Sequence, residues 1–341
     1  PRLDGPKDEE KQMSKIRWAQ IGTKHGHASG KLRALQTNPN VELVGIFEPD
    51  SARRQEVAEQ DAYKDAKWLD DISEIHGDEN IIAVASEGAN IESLDQTAAL
   101  IDAGKHVWHD KPAGNEWVKW QQVVAEAEKK KLLIQLGYMF RYHAGFNQIG
   151  EWVKSGYLGD ITSVRGHMST SLPVDRAEAL GVFKAGIFFD LGAHMLDQVC
   201  WLLGRPHTIT SFLRNDSAAK NVVDNSVTVY EYDKAIAFLD ISSMETQPAA
   251  RRFEVYGTKG SAIILEPFEP GDRIRLCLDG AREGRPSGEQ IVEVKGHSRQ
   301  ALYELALQSF LATIAGAKQR DRSADHELLV QETLLRATGD I

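Results

Sequence analysis

A lysine, an acid and a histidine stand out, because their types and positions suit proton transfer to or from an alcohol or ketone oxygen. Lys111 belongs to the segment Asp110-Lys111-Pro112, which directly follows an apolar, β-type run. Asp190 and His194 are four residues apart, so in a helix they share one face. An imidazole titrates near neutral pH and an ammonium stabilises a developing oxyanion. These three residues are therefore candidates for general acid–base chemistry.

The elements that must position Lys111 belong to an alternation of short apolar runs and helical stretches. Near-continuous apolar strands that alternate with helices predict a parallel sheet covered on both faces. Ligands of such sheets bind at the carboxyl ends of the strands, where Lys111 is expected. The predicted strands are 16–21, 41–47, 81–85, 106–108 and 132–136, and the predicted helices are 28–36, 51–60, 91–103 and 116–131.

The pattern changes near residue 145. Runs with a period of two follow between residues 226 and 278, separated by turns at Asp233-Lys234 and at 257–260. Helical stretches are expected at 146–155, 298–317 and 326–336. We therefore predict an α/β Rossmann domain with a parallel sheet over residues 14–145. A second domain over residues 146–341 is predicted to hold a largely antiparallel sheet, with one face either solvated or awaiting a partner.

Composition excludes several classes of protein. A chain of 341 residues predicts two domains, and a formal net charge of −10 argues against nucleic acid as a partner. No apolar stretch approaches the roughly 20 residues that span a bilayer, so no membrane partner is expected. Cys200 and Cys277 form no metal-binding spacing and fit a reducing compartment. We expect a cytoplasmic protein, although a processed or exported precursor stays open because the sequence does not begin with Met.

A dinucleotide site is predicted where the first strand enters the first helix. A glycine-rich turn that opens a helix presents backbone N–H groups to a pyrophosphate. The acid that ends the second strand, Glu48, can accept the ribose hydroxyls. The usual spacing is G-x-G-x-x-G, but Lys24 and His27 fill its second and third glycine positions here. The turn residues expected to contact the cofactor are Gly22, Thr23, Lys24, His25, Gly26 and His27.

The acid at Glu48 favours NAD over NADP, because a carboxylate repels a 2′-phosphate. Arg53 and Arg54 lie close enough in sequence to keep NADP open as the alternative. No catalytic metal is expected, since the histidines show no dense ligand spacing with cysteine or acid support.

Several further motifs closely resemble those of the Gfo/Idh/MocA family, which includes glucose–fructose oxidoreductase and inositol dehydrogenase. The resemblance covers essentially residues 14–340 and rests on the order and spacing of its motifs. These are Ala-Gly-Lys-His-Val at 103–107, Asp-Lys-Pro at 110–112, Gly137-Tyr138 with Arg141, Gly-Tyr-Leu-Gly at 156–159, and Asp190-x-Gly192-x-His194-x-x-Asp197.

The resemblance implies NAD(P)-dependent oxidation of a secondary alcohol in a sugar, cyclitol or related polyol. It also implies that residues 146–341 form an α+β domain with a large, mostly antiparallel open sheet, for substrate binding and oligomerisation, and that homodimers or homotetramers form through this C-terminal sheet. Asn90, Asp110, Lys111 and Pro112 would contact the cofactor. This sequence departs from the family pattern in three places. Asp110 replaces the usual glutamate, only Asn90 matches the family's T-P-N-x-x-H, and a G-G-G segment reads Lys184-Ala185-Gly186 here.

The resemblance and the residue chemistry together assign roles. Lys111 would orient the substrate hydroxyl and polarise the carbonyl, and His194 would act as general base. Asp190 would hold either the hydroxyl or the imidazole. The residues predicted to bind substrate are Arg141, Tyr142, His143, Lys184 and Asp197, and for Asp197 a purely structural role is an equal alternative.

Two other functions use the same residues. An enzyme that retains NAD could oxidise a sugar only transiently, so that elimination breaks a glycosidic bond without net redox change. A regulatory protein could bind NAD and keep the fold without the reaction. Intact Lys111, Asp190 and His194 argue against this last possibility.

Overall fold

A parallel five-stranded sheet forms the first half of the chain in the computed structural model, which describes residues 15–265 and 267–341. Consecutive residues Trp18 and Ala19 are both fully buried, and consecutive strand side chains point to opposite faces, so both faces are covered. The strands are β1 (Ile16–Ile21), β2 (Val41–Phe47), β3 (Ile81–Ser86), β4 (His106–His109) and β5 (Ile134–Leu136). They lie in the order β2-β1-β3-β4-β5, as expected for a Rossmann sheet.

The helices of this half connect successive strands. They are α1 (Ala28–Thr37), α2 (Ser51–Val57), α3 (Ser73–His76), α4 (Ser93–Asp102) and α5 (Trp117–Lys130). Each of the four longer helices overlaps a predicted helical stretch, because the apolar residues recur at helical spacing. The predicted α/β Rossmann architecture is confirmed.

An eight-stranded sheet forms the second half, and all its strand pairs are antiparallel except one. Its strands are β6 (Ile161–Met168), β7 (Thr208–Arg214), β8 (Asn225–Glu231), β9 (Ile236–Ser242), β10 (Arg251–Gly257), β11 (Gly260–Ile264), β12 (Arg273–Leu278) and β13 (Gly288–Glu293). The order is β13-β12-β11-β10-β6-β9-β8-β7, with β6 and β9 parallel. The predicted large, mostly antiparallel sheet is confirmed, although β6, β7 and β13 escaped prediction because their apolar alternation is weak.

The α-helices of the second half are α6 (Ala144–Lys154), α7 (Val174–Ala179), α8 (Ala193–Leu203), α9 (Arg299–Ile314) and α10 (Ala324–Thr338). Two of them, α9 and α10, also pack against helices of the first half. Helix α9 packs on α1, and its Phe310 ring lies 4.8 Å from that of Trp18 in β1. Helix α10 contacts both α5 and α8. One continuous set of buried apolar residues therefore runs through both halves.

One face of the eight-stranded sheet is open in the single chain. Strand β7 alternates between exposed and half-buried residues, and Phe212 and Ile291 are exposed large apolar side chains. This agrees with the predicted face that awaits a partner, and the assembly itself stays a prediction. Within the described residues, no helix has both the length and the apolar character needed to cross a membrane.

Candidate active site

Lys111 and Asp190 form a buried contact between the two halves of the chain. Lys111 follows β4 and is almost fully buried. Its Nζ donates to the Asp190 carboxylate at 2.7 Å and to the Asp190 carbonyl oxygen at 2.9 Å. Asp190 lies in a π-helical turn, Phe188–Gly192, which directly precedes α8. Such turns insert an extra residue into a helix and occur often at functional sites.

His194 lies in the first turn of α8, with its side chain surrounded by rings. The ring centroids of Phe140, His27 and Tyr138 are 5.4, 5.8 and 6.0 Å from that of His194. Burial lowers the pKa of His194 well below its usual value, and the Lys111 ammonium lowers it further. The imidazole is therefore neutral near pH 7 and able to accept a proton.

Asp190 does not orient the His194 ring in the way that a regular helix predicts. Within residues 15–265 and 267–341, His194 Nδ1 is buried without a hydrogen-bond partner, whereas the Asp190 carboxylate pairs with Lys111. The physical reason is the π turn, which changes the angular relation between positions 190 and 194. The expected pairing of Asp190 with His194 is thus replaced by a pairing of Asp190 with Lys111.

A second buried group lies below the loop between β1 and α1. It consists of His25, His27, Lys31, Glu87 and Asp110, and we call it the Asp110 cluster. The Asp110 carboxylate oxygens lie 2.9 Å from His25 Nδ1, 3.1 Å from His27 Nδ1 and 3.1 Å from Lys31 Nζ. Lys31 Nζ also contacts Glu87 at 2.6 Å. Asp110, His25 and His27 were predicted as separate cofactor contacts, and here they meet.

Lys31 and Glu87 were missed by sequence reasoning. One signal was available for Lys31, since it lies four residues after His27 on the apolar face of α1, beside Leu32 and Leu35. A lysine at such a position is seldom buried unless it is paired. Glu87 directly follows β3, as Asp110 follows β4, so both acids lie at the same edge of the sheet.

The electrostatics of the Asp110 cluster distinguish its two acids. Burial raises the pKa of Glu87 well above its usual value, although Lys31 opposes the shift. Burial acts on Asp110 too, but His25, His27 and Lys31 outweigh it and hold the pKa of Asp110 well below its usual value. Burial also lowers the pKa of His27 to about 4, against the attraction of Asp110. Asp110 is thus ionised beside a neutral His27.

Donor atoms of His25, His27 and Asp110 lie within 4.8 Å of one another, a separation that a metal ion could bridge. The ammonium of Lys31 points at the same Asp110 carboxylate, and a cation would have to displace or repel it. We therefore assign no metal site here, and the expected absence of a catalytic metal stays a prediction.

The loops after β1 and β3 fit a dinucleotide. Gly22 has a φ of +83°, and a Cβ at this position would lie 2.5 Å from the Gly88 nitrogen, so only glycine permits this approach. Helix α1 begins after His27, whose side chain makes no capping hydrogen bond. The Ala28 N–H donates to the His25 carbonyl oxygen at 3.1 Å, so the N–H groups of Ser29 and Gly30 are the ones in the first turn of α1 that suit a phosphate. The backbone carries the features that a pyrophosphate needs.

Glu48 directly follows β2 and is buried, and its role as the acid that binds ribose stays a prediction. It accepts hydrogen bonds from Thr23 Oγ1 at 2.8 Å and from the Asp50 N–H at 3.1 Å. Arg53 donates to the Thr23 carbonyl oxygen at 3.1 Å. Together, Thr23, Glu48 and Arg53 hold the end of β2 against the loop that follows β1.

Lys24, which was predicted to contact the cofactor, is paired with two carboxylates. Its Nζ pairs with Glu92 at 2.9 Å and with Asp50 at 3.3 Å, so it bridges the loops after β2 and β3. Asn90, in the same loop as Glu92, has a buried Oδ1 without a hydrogen-bond partner among the described residues. Pro112 is buried after Lys111, beyond a cis peptide bond. A surface cleft of about 410 Å³ borders the loop, lined in part by Thr23, Lys24, His25, Gly26, Arg53 and Arg176.

Arg141 and Asp197 were predicted to bind substrate, but the structure pairs them with each other. With His326 and Glu327 they form a buried group that we call the Arg141 cluster. Arg141 Nη2 lies 2.7 Å from both Asp197 and Glu327, and His326 Nε2 lies 2.9 Å from Asp197. These contacts hold the turn after β5 to α8 and α10. The alternative of a structural role for Asp197 is the one its contacts support.

The other predicted substrate residues also have structural contacts. Tyr142 donates to Asp321 at 3.0 Å. His143 accepts from the backbone N–H of Gly145 at the start of α6, and its Nε2 lies 2.7 Å from the Phe268 carbonyl oxygen. Lys184 is exposed and donates to the Gly339 carbonyl oxygen at 2.7 Å. Among the described residues, the hydrogen bonds of Lys111 and the ring contacts of His194 do not involve these three side chains, and their substrate-binding role stays a prediction.

Two family models match this chain in sequence. The oxidoreductase family with an NAD-binding Rossmann fold matches residues 16–138, and the GFO/IDH/MocA C-terminal domain matches residues 146–263. The chain belongs to the Gfo/Idh/MocA oxidoreductase family. This membership confirms the resemblance and gives the first half of the chain its NAD-binding Rossmann fold.

Two relatives are named as inositol dehydrogenases. An inositol 2-dehydrogenase from Salmonella typhimurium is 26% identical over 209 residues, 60% of either chain. The scyllo-inositol 2-dehydrogenase (NADP(+)) IolW from Bacillus subtilis is 28% identical over 220 residues, 62% of this chain and 59% of that one. The matched region thus spans about 60% of the length of these curated relatives.

Solved structures share the whole fold. A levoglucosan dehydrogenase in complex with NADH and levoglucosan has a TM-score of 0.81 at 16% identity, covering 96% of this chain and 98% of that one. An oxidoreductase from Agrobacterium radiobacter in complex with NAD+, L-tartaric acid and magnesium has a TM-score of 0.79 at 15% identity, covering 96% and 97%. At such low identity the likeness concerns the fold.

Proposed function

We propose that this protein is an NAD-dependent dehydrogenase that oxidises a secondary alcohol of a sugar, cyclitol or related polyol. The observation that carries the proposal is the buried contact between Lys111 and Asp190, which joins the carboxyl end of β4 to the turn that precedes His194. Relatives named inositol 2-dehydrogenase support the substrate class.

The proposed roles follow from the contacts. His194 takes the proton of the substrate hydroxyl, since burial keeps its imidazole neutral. Two N–H groups of the Lys111 ammonium are held by Asp190, and the third is directed to the substrate oxygen, where it stabilises negative charge as the proton leaves. The redox chemistry, removal of a hydride from the alcohol carbon, is that of nicotinamide when it is bound.

The cofactor we favour is NAD. Glu48 presents a carboxylate where the ribose of the adenosine half would lie, and a 2′-phosphate there would meet a like charge. NADP is the alternative, because Arg53 approaches the same loop and the relative from Bacillus subtilis is named as NADP-linked.

We further infer a cytoplasmic protein that assembles as a homodimer or homotetramer. Both cysteines are free thiols, which suits a reducing compartment. The open face of the eight-stranded sheet, with Phe212 and Ile291 exposed, is the surface we propose for assembly.

The test is reduction of NAD and NADP by purified protein with a panel of inositols, polyols and sugars, after the content of bound cofactor has been measured. Replacing Lys111 by Ala is expected to lower kcat about 10³-fold, because the oxygen loses its charged donor, while the Kd for NAD changes little. Lys129→Ala, on the exposed surface of α5, is the matched control and should behave as wild type.

The outcomes separate the candidate functions. Net NADH formation that Lys111→Ala abolishes supports the dehydrogenase. Tightly bound NAD, no net NADH and cleavage of a glycoside would instead indicate transient oxidation followed by elimination. NAD binding with no turnover of any compound, or full activity of Lys111→Ala, would contradict the proposal.

A further inference from the structure

The proton that His194 accepts needs a way out of the site. Each oxidation of an alcohol to a ketone releases one hydride and one proton, and His194 is only 2% exposed. Substrate would cover the ring further. A buried base that releases protons to solvent during turnover requires other groups to carry them.

Such groups lie next to His194 in the Asp110 cluster. The His27 ring centroid is 5.8 Å from that of His194, which one small rotation or one water molecule can bridge. His27 Nδ1 then lies 3.1 Å from one Asp110 oxygen, and His25 Nδ1 lies 2.9 Å from the other. His25 lines the surface cleft beside the cofactor loop. Once the gap between the His194 and His27 rings is bridged, close contacts continue through Asp110 and His25 to the surface cleft.

The hydrogen bonding of His25 is compatible with two proton positions. Its Nδ1 accepts from the backbone N–H of His27 at 3.1 Å and lies 2.9 Å from Asp110 Oδ2, at an angle that makes no hydrogen bond in this arrangement. An unprotonated Nδ1 satisfies the first contact, and a small turn of the ring or of the carboxylate would let a protonated Nδ1 donate to Asp110. The proton at this atom can therefore be gained or lost without a change in the backbone.

We propose that His27, Asp110 and His25 form a relay that carries the substrate proton from His194 to the surface cleft. Protonated His194 gives its proton to Nε2 of His27, and His27 Nδ1–H gives one to Asp110. Asp110 passes one to His25 Nδ1, and the N–H on the other nitrogen of His25 is lost to water in the cleft. One proton enters and one leaves, with no change in oxidation state. The relay rests on the proposed dehydrogenase function.

The surrounding charges favour movement of a proton from His194 toward His27 and His25. Lys111 and Arg251 disfavour a positive charge on His194, whereas Asp110 attracts one to His27 and His25. Lys31 and Glu87 face Asp110 from α1 and from the loop after β3, and Asp190 and Tyr303 face the histidines from the second half of the chain. Lys31 is a positioning residue, because it keeps Asp110 an ionised acceptor between two imidazoles.

The kinetic test compares His25→Gln and His27→Gln with wild type on the best substrate found. We expect kcat to fall about 10²-fold in either variant, with a larger solvent deuterium isotope effect on kcat, because proton release becomes rate-limiting. Small exogenous bases such as imidazole should restore much of kcat in His25→Gln. His207→Gln, at an exposed histidine on the second half, is the control. Unchanged kcat, or a rise in KM for NAD alone, would overturn the relay and leave the dehydrogenase proposal intact.

A second test does not depend on turnover. Imidazole 15N NMR spectra of the resting protein, with and without NAD, report which ring nitrogen carries a proton. Replacing Asp110 by Asn should shift the tautomer signals of both His25 and His27, whereas Asp240→Asn, beside His167 on the other sheet, should shift neither. If Asp110→Asn leaves both signals unchanged, or if a metal chelator alone changes them, the relay is wrong.

Discussion

The Asp110 cluster and the Arg141 cluster contain similar residue types at similar burial, yet they differ in how well their hydrogen bonds are satisfied. The Arg141 guanidinium donates to the carboxylates of Asp197 and Glu327, and His326 forms a further hydrogen bond with Asp197. In the Asp110 cluster, by contrast, two buried carboxylate oxygens have no hydrogen-bond partner among the described residues: Glu87 Oε2, and Asp110 Oδ2, although the latter lies 3.1 Å from Lys31 Nζ. Nearly all buried polar groups in proteins are paired, so the incomplete cluster is the one that a reaction or a ligand has to explain.

The same contrast appears in what each cluster connects. In the Arg141 cluster, Arg141 pairs with Glu327, which lies 186 positions further along the chain. This pair ties α10 to the turn after β5. The Asp110 cluster lies where the loop after β1 meets the carboxyl ends of β3 and β4, the edge at which parallel sheets bind ligands. The fully hydrogen-bonded Arg141 cluster thus holds the two halves of the chain together. The incompletely hydrogen-bonded Asp110 cluster lies beside the candidate active site.

The largest effect should come from breaking the satisfied cluster. Arg141→Met leaves Asp197 and Glu327 buried without their cation, and we expect the free energy of unfolding to fall by about 3–5 kcal/mol. Urea denaturation measures this change. Arg205→Met removes the arginine of a more exposed pair with Glu332 and should cost less than about 1 kcal/mol. Equal losses in the two variants would contradict the assignment of Arg141 as structural.

A smaller and pH-dependent effect is expected from Lys31→Met. Lys31 lowers the pKa of both Glu87 and Asp110, so without it both carboxyls have higher pKa values in the folded state. The folded protein then binds more protons than the unfolded chain, and its stability falls as pH rises above the usual carboxyl range. The slope for one proton is about 1.4 kcal/mol per pH unit.

Urea denaturation of Lys31→Met and wild type at several values between about pH 5 and pH 8 tests this sign. The difference in free energy of unfolding should widen toward higher pH. A difference that is constant with pH would mean that Lys31 contributes by packing against Trp108, whose ring centroid lies 4.6 Å from its Nζ, rather than by charge.

Sequence patterns predicted the active site and the Arg141 cluster unequally. Lys111, Asp190 and His194 were found because each belongs to a short local motif, and Lys111 follows a clear apolar run. The partners of Arg141 were not found, because Glu327 lies far along the chain and nothing near Arg141 indicates a buried acid. Its place after a strand end suggested a ligand-binding role instead. The π turn at Asp190 was also invisible, since it depends on packing around Phe188 and Gly192 rather than on a residue pattern.

The smallest effect tests whether the structural assignment extends to the neighbour of Arg141. Tyr142→Phe removes a hydroxyl that donates to Asp321, and a neutral donor to a charged acceptor is worth about 1.5 kcal/mol or less at this half-buried position. Asp321 keeps Lys318 and Ser309 as partners, which limits the loss. Urea denaturation should therefore show a decrease near 1 kcal/mol, within the ordinary range for one hydrogen bond. A large rise in KM for the polyol at unchanged stability would reverse the interpretation, because the hydroxyl would then have to reach substrate rather than Asp321.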